Sequence, residues 1–108
     1  MSEINKTLEI NRLLDIYGRL LTKQQIEIMC DYYYFDLSLS EISRSRNITR
    51  TAVYDAIKTA TEKLENFEEN IGICRVFDEN RNEETSEIID RLERGLKEDG
   101  IWVVNRKI

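Results

Sequence analysis

Residues 37–58 have the pattern of two short helices separated by a tight turn. Ser38 is followed three residues later by Glu41, which is the spacing of a capping box, and Thr49 is suited to the N-cap of the second helix. Asn47 lies in the turn, where a residue that tolerates left-handed backbone dihedrals is needed. The spacing of five apolar residues brings them together in one small core: Leu39, Ile42, Ile48, Val53 and Ile57. These signals predict a helix-turn-helix, a motif whose second helix commonly enters a DNA groove.

Composition favours an all-α protein around this motif. The 108 residues contain no proline and four glycines, and 34% of them are charged. A chain of this length supports one domain, or one domain with an extension. We expect an all-α helix-turn-helix bundle at residues 1–72 and a helical C-terminal extension at residues 73–108.

Two amphipathic helices are predicted before the motif. The first runs from about residue 5 to residue 17 or beyond, and Gly18 offers a break. Thr22 is suited to cap the second helix, which carries Ile26, Met29, Cys30 and Tyr33 inward. The apolar stripe of the first helix repeats at spacings of three and four and consists of Ile10, Leu13, Leu14, Tyr17, Leu20 and Leu21. Leu8 and Ile16 widen this stripe.

The helix that follows Thr49 is predicted to be long, with Gly72 as its C-terminal stop. Its apolar positions alternate at spacings of four and three: Val53, Ile57, Ala60, Leu64, Phe67 and Ile71. This seam has two interpretations. It covers the first helix within one chain, or it forms the interface of a homodimer.

The C-terminal part is predicted to contain a hinge or exposed turn at residues 78–84 and then a final amphipathic helix that ends at Asp99-Gly100. The final helix is marked by Ile88, Ile89, Leu92 and Leu96. Residues 101–108 are unusually apolar and include the only tryptophan, Trp102.

Charge is unevenly distributed along the chain, whose net charge is −5. Residues 44–63 contain five basic and two acidic side chains, whereas residues 78–100 contain nine acidic and four basic ones. The motif is therefore the basic part of an acidic protein, which is the expected location for contacts with a polyanion.

With Val53 turned inward, the outer face of the second motif helix carries Thr51, Tyr54, Asp55, Lys58 and Glu62. Arg50 at the helix start can contact a guanine edge or a phosphate. Asp55 can accept from cytosine, or serve as a local partner of Lys58, Thr59 or Arg50. The predicted nucleic-acid contacts are Arg50, Thr51, Tyr54 and Lys58, with Arg44 and Arg46 on the phosphate backbone.

No pattern in the sequence indicates an enzyme, a metal site or a cofactor. Histidine is absent, as are a glycine-rich phosphate loop and a nucleophile elbow. Cys30 and Cys74 lack metal-type spacing and suggest a reducing compartment, with Cys30 as a small buried residue. No segment has the length or apolarity of a signal peptide or membrane span, so we expect a cytoplasmic protein without membrane contact.

Residues 37–64 resemble the promoter-reading fourth region of sigma-70-type factors, although Tyr54 and Asp55 replace the larger basic or amide side chains usual there. A longer resemblance, over residues 8–77, is to the YlxM-like family of helix-turn-helix proteins. It is carried by Leu14-Asp15-x-Tyr17-Gly18-x-Leu20-Leu21-Thr22, Tyr33-Tyr34-x-Asp36-Leu37-Ser38-Leu39 and Arg50-x-Ala52-Val53-Tyr54-Asp55-x-Ile57-Lys58.

Members of that family are encoded beside the genes for the signal recognition particle GTPase and its receptor, which implies a role in that targeting pathway. Two hypotheses follow. The first is a dimeric regulator that binds double-stranded DNA. The second is a module that binds the protein or RNA of the signal recognition particle, using its acidic final helix and the aromatic residues 32–35, unless those aromatics only pack in the core.

Overall fold

The computed structural model describes residues 3–98, with side chains described for residues 5–97, and every regular element in that range is helical. The α-helices are α1 (Glu3–Tyr17), α2 (Lys23–Tyr33), α3 (Leu39–Arg46), α4 (Arg50–Ile71), α5 (Ile73–Asn80) and α6 (Ser86–Glu98). A 3₁₀ helix, Gly18–Leu20, joins α1 to α2. The predicted all-α helix-turn-helix fold is confirmed.

Local capping signals define the helix starts, as predicted. The Thr22 hydroxyl accepts from the Gln25 N–H at 3.2 Å, and the Gln25 side chain accepts from the Thr22 N–H at 3.0 Å. Ser38 and Glu41 form the same reciprocal box at the start of α3. Each box satisfies two backbone donors that a helix N-terminus otherwise leaves without partners.

The turn between α3 and α4 has the predicted chemistry. Asn47 adopts left-handed dihedrals (φ 57°, ψ 46°), and the Thr49 hydroxyl accepts from the Ala52 N–H at 3.0 Å. The Ser43 hydroxyl also donates to the Ile48 carbonyl at 2.6 Å. The turn is therefore fixed on both sides, which sets the direction in which α4 leaves α3.

Two apolar clusters hold the helices together. The smaller one, under the helix-turn-helix, buries Ile28, Ile42 and Val53 against the partly buried Leu39, Ile48 and Ile57. The five residues predicted for this core are present, and Ile28 is an addition from α2. That helix buries two faces, because Ile26 and Met29 belong to the larger cluster while Ile28 belongs to the smaller one.

The larger cluster lies between α1, α2 and α4, and it decides between the two interpretations of the α4 seam. Ala60 and Leu64 are fully buried beside Ile10 and Leu14 within one chain. The intramolecular interpretation therefore holds for Ala60 and Leu64, the central residues of the seam. Ile71, at its end, is exposed.

Leu20 departs from its predicted position on the apolar stripe. It is 48% exposed. The reason is the 3₁₀ helix, which has about 3.0 residues per turn and so rotates Leu20 away from the face continued from α1. Ile16, in contrast, is buried and belongs to the larger cluster. Leu8 is exposed.

A junction at Gly72 sets the direction of α5. Gly72 has a positive φ of 74° and ends α4 as predicted. The Glu68 carboxylate accepts from the Tyr17 hydroxyl at 2.7 Å and from the N–H groups of Cys74 and Arg75 at 3.0 and 3.1 Å. Glu68 thereby caps the start of α5 from the preceding helix. The predicted hinge at residues 78–84 is partly wrong, since α5 continues to Asn80 before the turn.

The last helix packs on α1. Ile89 is buried, and the Arg12 guanidinium lies 3.0 Å from the Asp78 carboxylate and 2.7 Å from that of Glu93. The division into a bundle (1–72) and an extension (73–108) stays a prediction. The predicted helix end at Asp99-Gly100 and the apolar residues 101–108 lie outside the described residues. Within residues 3–98, no helix combines the length and apolarity needed to span a membrane.

Candidate nucleic-acid interface

The first three turns of α4 place four of the predicted contact residues on one exposed surface. Arg50 is the first residue of α4, and Thr51, Tyr54 and Lys58 follow at spacings that share a helix face. All four are exposed, and Tyr54 retains 55% of its surface. We call this surface the α4 face. The buried Val53, between Thr51 and Tyr54, fixes which side of α4 turns outward.

Shallow depressions lie on both sides of Tyr54. One, of about 290 Å³, is lined by Leu39, Arg50, Thr51 and Tyr54. The other, of about 420 Å³, continues along α4 and is lined by Tyr54, Ile57, Lys58, Thr61, Glu62 and Glu65. Tyr54 lines both depressions, which together extend from the start of α4 to its fifth turn.

The two remaining predicted contacts, on α3, lie in different environments. Arg44 is exposed. Arg46 is not free, because its Nε lies 2.6 Å from Asp31 and its Nη1 lies 2.7 Å from Glu27. The hydrogen bond to Asp31, more than any other contact, raises the pKa of Arg46. The structure therefore brings Arg44 and the α4 face to solvent and ties Arg46 to α2.

The Glu27–Asp31–Arg46 cluster was not predicted from the sequence. Asp31 is only 9% exposed, and a carboxylate so deeply placed is costly unless it is paired. The available signal was the i, i+4 spacing of Glu27 and Asp31, which puts two carboxylates on one side of α2. Its consequence is that Arg46 connects α3 to α2 and holds the helix-turn-helix in place.

Acidic residues offset the basic ones near the α4 face. Within the described residues, Asp55 is exposed and pairs with neither Arg50 nor Lys58. Glu41 is also exposed, but it is committed to the α3 capping box, where the hydrogen bond from the Ser38 N–H lowers its pKa. The α4 face and its surroundings therefore carry exposed side chains of both charge signs.

The aromatic residues 32–35 divide between core and surface. Tyr33 and Tyr34 pack against the larger cluster, and the Tyr34 hydroxyl donates to Asp15. Tyr32 meets Tyr33 edge to face at 4.9 Å and is partly exposed, while Phe35 is 51% exposed. Core packing thus explains two of these side chains, and the other two are available at the surface.

The described part of the chain offers little support for a metal site or a reactive cysteine. No three His, Cys, Asp or Glu side chains among residues 3–98 are placed to hold a metal ion. Cys30 is buried, as predicted, and Cys74 is a buried free thiol. Burial, followed by the nearby Glu68 carboxylate, raises the pKa of Cys74 to about 12, so its sulfur stays protonated.

Comparison with known proteins gives consistent matches. A family model described as "Putative helix-turn-helix protein, YlxM / p13 like" matches residues 4–100. A UPF0122 protein of Desulforamulus reducens is 39% identical over 103 residues, covering 94% of this chain and 86% of that protein. A UPF0122 protein of Halalkalibacterium halodurans is 39% identical over 93 residues, covering 86% and 81%. One from Malacoplasma penetrans is 48% identical over 63 residues, covering 58% of this chain and 59% of that protein. These matches confirm the resemblance predicted from the motifs.

Proposed function

We propose that this chain, which belongs to the YlxM/p13-like family of helix-turn-helix proteins, is a regulatory protein that binds double-stranded DNA through the α4 face. The observation that carries the proposal is the capped start of α4, where Arg50, Thr51, Tyr54 and Lys58 are exposed together. A helix held in this way by a second helix and a fixed turn has the geometry that enters a major groove.

In the proposed complex the side chains have different roles. Lys58 and Arg44 bind phosphate oxygens. Arg50, as the first residue of α4, contacts a base edge or a phosphate. Thr51 and Tyr54 supply hydroxyl groups for a base or the backbone. Asp55 can accept a hydrogen bond from the amino group of cytosine, and elsewhere in a groove it is repelled by phosphates. Arg46 acts as a positioning residue through Asp31 and Glu27.

The proposed binding unit is one chain with one recognition helix. The homodimer predicted from the α4 seam needs a different surface, because α1 covers that seam within the same chain. Homodimerisation thus stays a prediction, and sedimentation of the free protein and of the complex measures it directly.

The test is fluorescence anisotropy at low salt, using labelled duplexes that tile the region upstream of the protein's own gene. We expect at least one duplex to bind, with binding weakened by the double variant Arg50→Ala/Lys58→Ala. The matched control is Arg91→Ala/Arg94→Ala on α6, which removes the same charge from an exposed surface away from α4. Absence of binding to every duplex, or equal loss in both double variants, contradicts the proposal.

The second candidate is an interaction module for the protein or RNA of the signal recognition particle, the pathway implied by the family resemblance. The observation that favours it is the exposure of Tyr32 and Phe35, since unpaired RNA bases stack on accessible aromatic side chains. Affinity purification from lysate with and without nuclease separates the candidates. Recovery of particle RNA that is lost in Tyr32→Ala/Phe35→Ala, but not in Arg50→Ala/Lys58→Ala, supports the module over the DNA-binding protein.

A further inference from the structure

The depression at the start of α4 is lined by side chains from both helices of the helix-turn-helix. Leu39 is the first residue of α3, while Arg50, Thr51 and Tyr54 belong to the first two turns of α4. The volume of the depression, about 290 Å³, is several times the roughly 30 Å³ that one water molecule occupies in the liquid. Since three of its four lining residues belong to the α4 face, a ligand on that face covers the depression.

Much of the lining of this depression consists of carbon atoms. Tyr54 is 55% exposed, and Leu39 is only partly buried where it packs against the smaller cluster. The Thr51 side chain adds a methyl group beside its hydroxyl. An apolar group displaces water from such a surface favourably, whereas a charged group loses hydration there without gaining hydrogen bonds. The depression therefore favours a ligand with an apolar part.

Local structure holds Leu39 and Tyr54 in place before any ligand binds. The capping box of Ser38 and Glu41 fixes the backbone on both sides of Leu39. The buried Val53 fixes the side of α4 from which Tyr54 projects. Because the backbone is already ordered, little conformational freedom is lost when a ligand enters the depression.

We propose, on the basis of the DNA binding proposed above, that this depression receives the C5-methyl group of a thymine. In the major groove the other groups that distinguish the base pairs are hydrogen-bond donors and acceptors, and the thymine methyl is the apolar one. The methyl group packs against the Tyr54 ring and Leu39, while Arg50 contacts a polar edge or a phosphate nearby. Leu39 and Tyr54 are then specificity-determining residues, and Leu39 is not among the contacts predicted from the sequence.

A phosphate group is a weaker occupant of the depression, although Arg50 contributes to its lining. A phosphate would exchange hydration for contact with the carbon atoms of Tyr54 and Leu39. The start of α3 also carries the Glu41 carboxylate, which accepts from the Ser38 N–H at 2.9 Å. The capping box thus occupies backbone donors that could bind an anion and adds a negative charge that repels one.

Deoxyuridine tests the contact directly, because it keeps the base pairing and the O4 acceptor of thymine and lacks only the C5-methyl group. The probe is the duplex that the protein binds in the anisotropy experiment, with each thymine replaced in turn by deoxyuridine. We expect at least one position at which the replacement weakens binding about fourfold, the effect expected for one buried methyl group.

Variants of Tyr54 locate the methyl group on the protein. In Tyr54→Ser the ring is absent, so the same deoxyuridine replacement should no longer weaken binding. Tyr54→Phe loses only the hydroxyl and should retain the fourfold effect. The matched control is Leu92→Ser, because Leu92 is 52% exposed and lies on α6, and this variant should also retain the effect. Far-ultraviolet circular dichroism should stay helical in all three variants.

The outcomes separate this contact from DNA binding itself. If no duplex binds, the proposed function fails and the thymine contact fails with it. If a duplex binds but every deoxyuridine replacement is neutral, the thymine contact is wrong while DNA binding stands. The contact is also wrong if Tyr54→Ser retains the fourfold effect, or if Tyr54→Phe or Leu92→Ser loses it.

Discussion

Arg46 forms contacts in the structure that differ from the phosphate contact predicted for it from the sequence. In the sequence it is one of several basic residues of the motif, and in the structure it forms ion pairs with two α2 carboxylates at 2.6 and 2.7 Å. Its neighbour two positions earlier, Arg44, is exposed. The two arginines therefore form a matched pair, one that stabilises the fold and one that is available to a phosphate.

Replacing Arg46 by alanine is expected to lower the free energy of unfolding by about 2 kcal/mol, because it leaves the nearly buried Asp31 unpaired. Arg44→Ala should change it by less than about 0.5 kcal/mol. Urea unfolding followed by circular dichroism measures both. Equal stability of the two variants would show that the Arg46 cluster does not hold α3 on α2.

Glu68 is expected to make stability depend on pH. Burial raises its pKa, but hydrogen bonds from the Tyr17 hydroxyl and the Cys74 and Arg75 N–H groups outweigh this, so the pKa of Glu68 is lowered below 4.5 in the folded protein. Its stabilising contribution is therefore complete above pH 4.5 and disappears as the pH falls through the folded-state pKa.

The corresponding variant is Glu68→Gln, with Glu69→Gln as control because Glu69 is exposed. Urea unfolding should show Glu68→Gln less stable than the parent at neutral pH. The difference should shrink as the pH falls through the lowered pKa of Glu68, because the parent then loses the same carboxylate charge. A difference that stays constant with pH, or one equalled by Glu69→Gln, would contradict the capping role.

At the scale of elements, the parts predictable from sequence were those set by neighbouring residues. The capping boxes, the Asn47 turn and the Gly72 stop depend on side chains within three or four positions of each other. The partner of a helix face was not predictable in the same way. The apolar repeat along α4 indicated that one face of this helix is buried. Only the tertiary structure identified α1 as the helix that packs on it.

The same limit applies to the candidate site. Periodicity correctly turned Arg50, Thr51, Tyr54 and Lys58 outward, because Val53 fixes the inner side of α4. It could not assign Arg46, since Glu27 and Asp31 come from a helix 15 to 19 residues earlier. Leu20 was misplaced because a 3₁₀ helix changes the angular step between residues.

The turn that orients α4 offers a test at this scale. Asn47 has a φ of 57°, which costs about 1 kcal/mol for a residue with an ordinary side chain. Asn47→Ala is therefore expected to reduce the free energy of unfolding by about 1 kcal/mol, while Asn47→Gly should be close to neutral because glycine accepts this conformation. If thermal unfolding ranks glycine below alanine, backbone strain at this turn is not what selects asparagine.

At the scale of the whole molecule, the protein is acidic, with a net charge of −5, and α4 exposes Arg50 and Lys58. Acidic side chains elsewhere repel a polyanion and leave a small surface on which it can bind. We therefore expect weak affinity for non-specific DNA and a modest number of phosphate contacts. The protein should bind DNA mainly in the one orientation that brings the α4 face to the duplex.

The most direct measurement is the salt dependence of DNA binding for the parent, Arg50→Ala/Lys58→Ala and Arg91→Ala/Arg94→Ala. Each phosphate contact contributes about 0.9 to the slope of log K against log salt concentration. We predict that the α4 variant lowers the magnitude of the slope by about 1 to 2 and that the α6 variant leaves it unchanged. If DNA binding by the parent does not depend on salt concentration, or if the α4 variant has the same slope as the parent, recognition of DNA by the α4 face is contradicted.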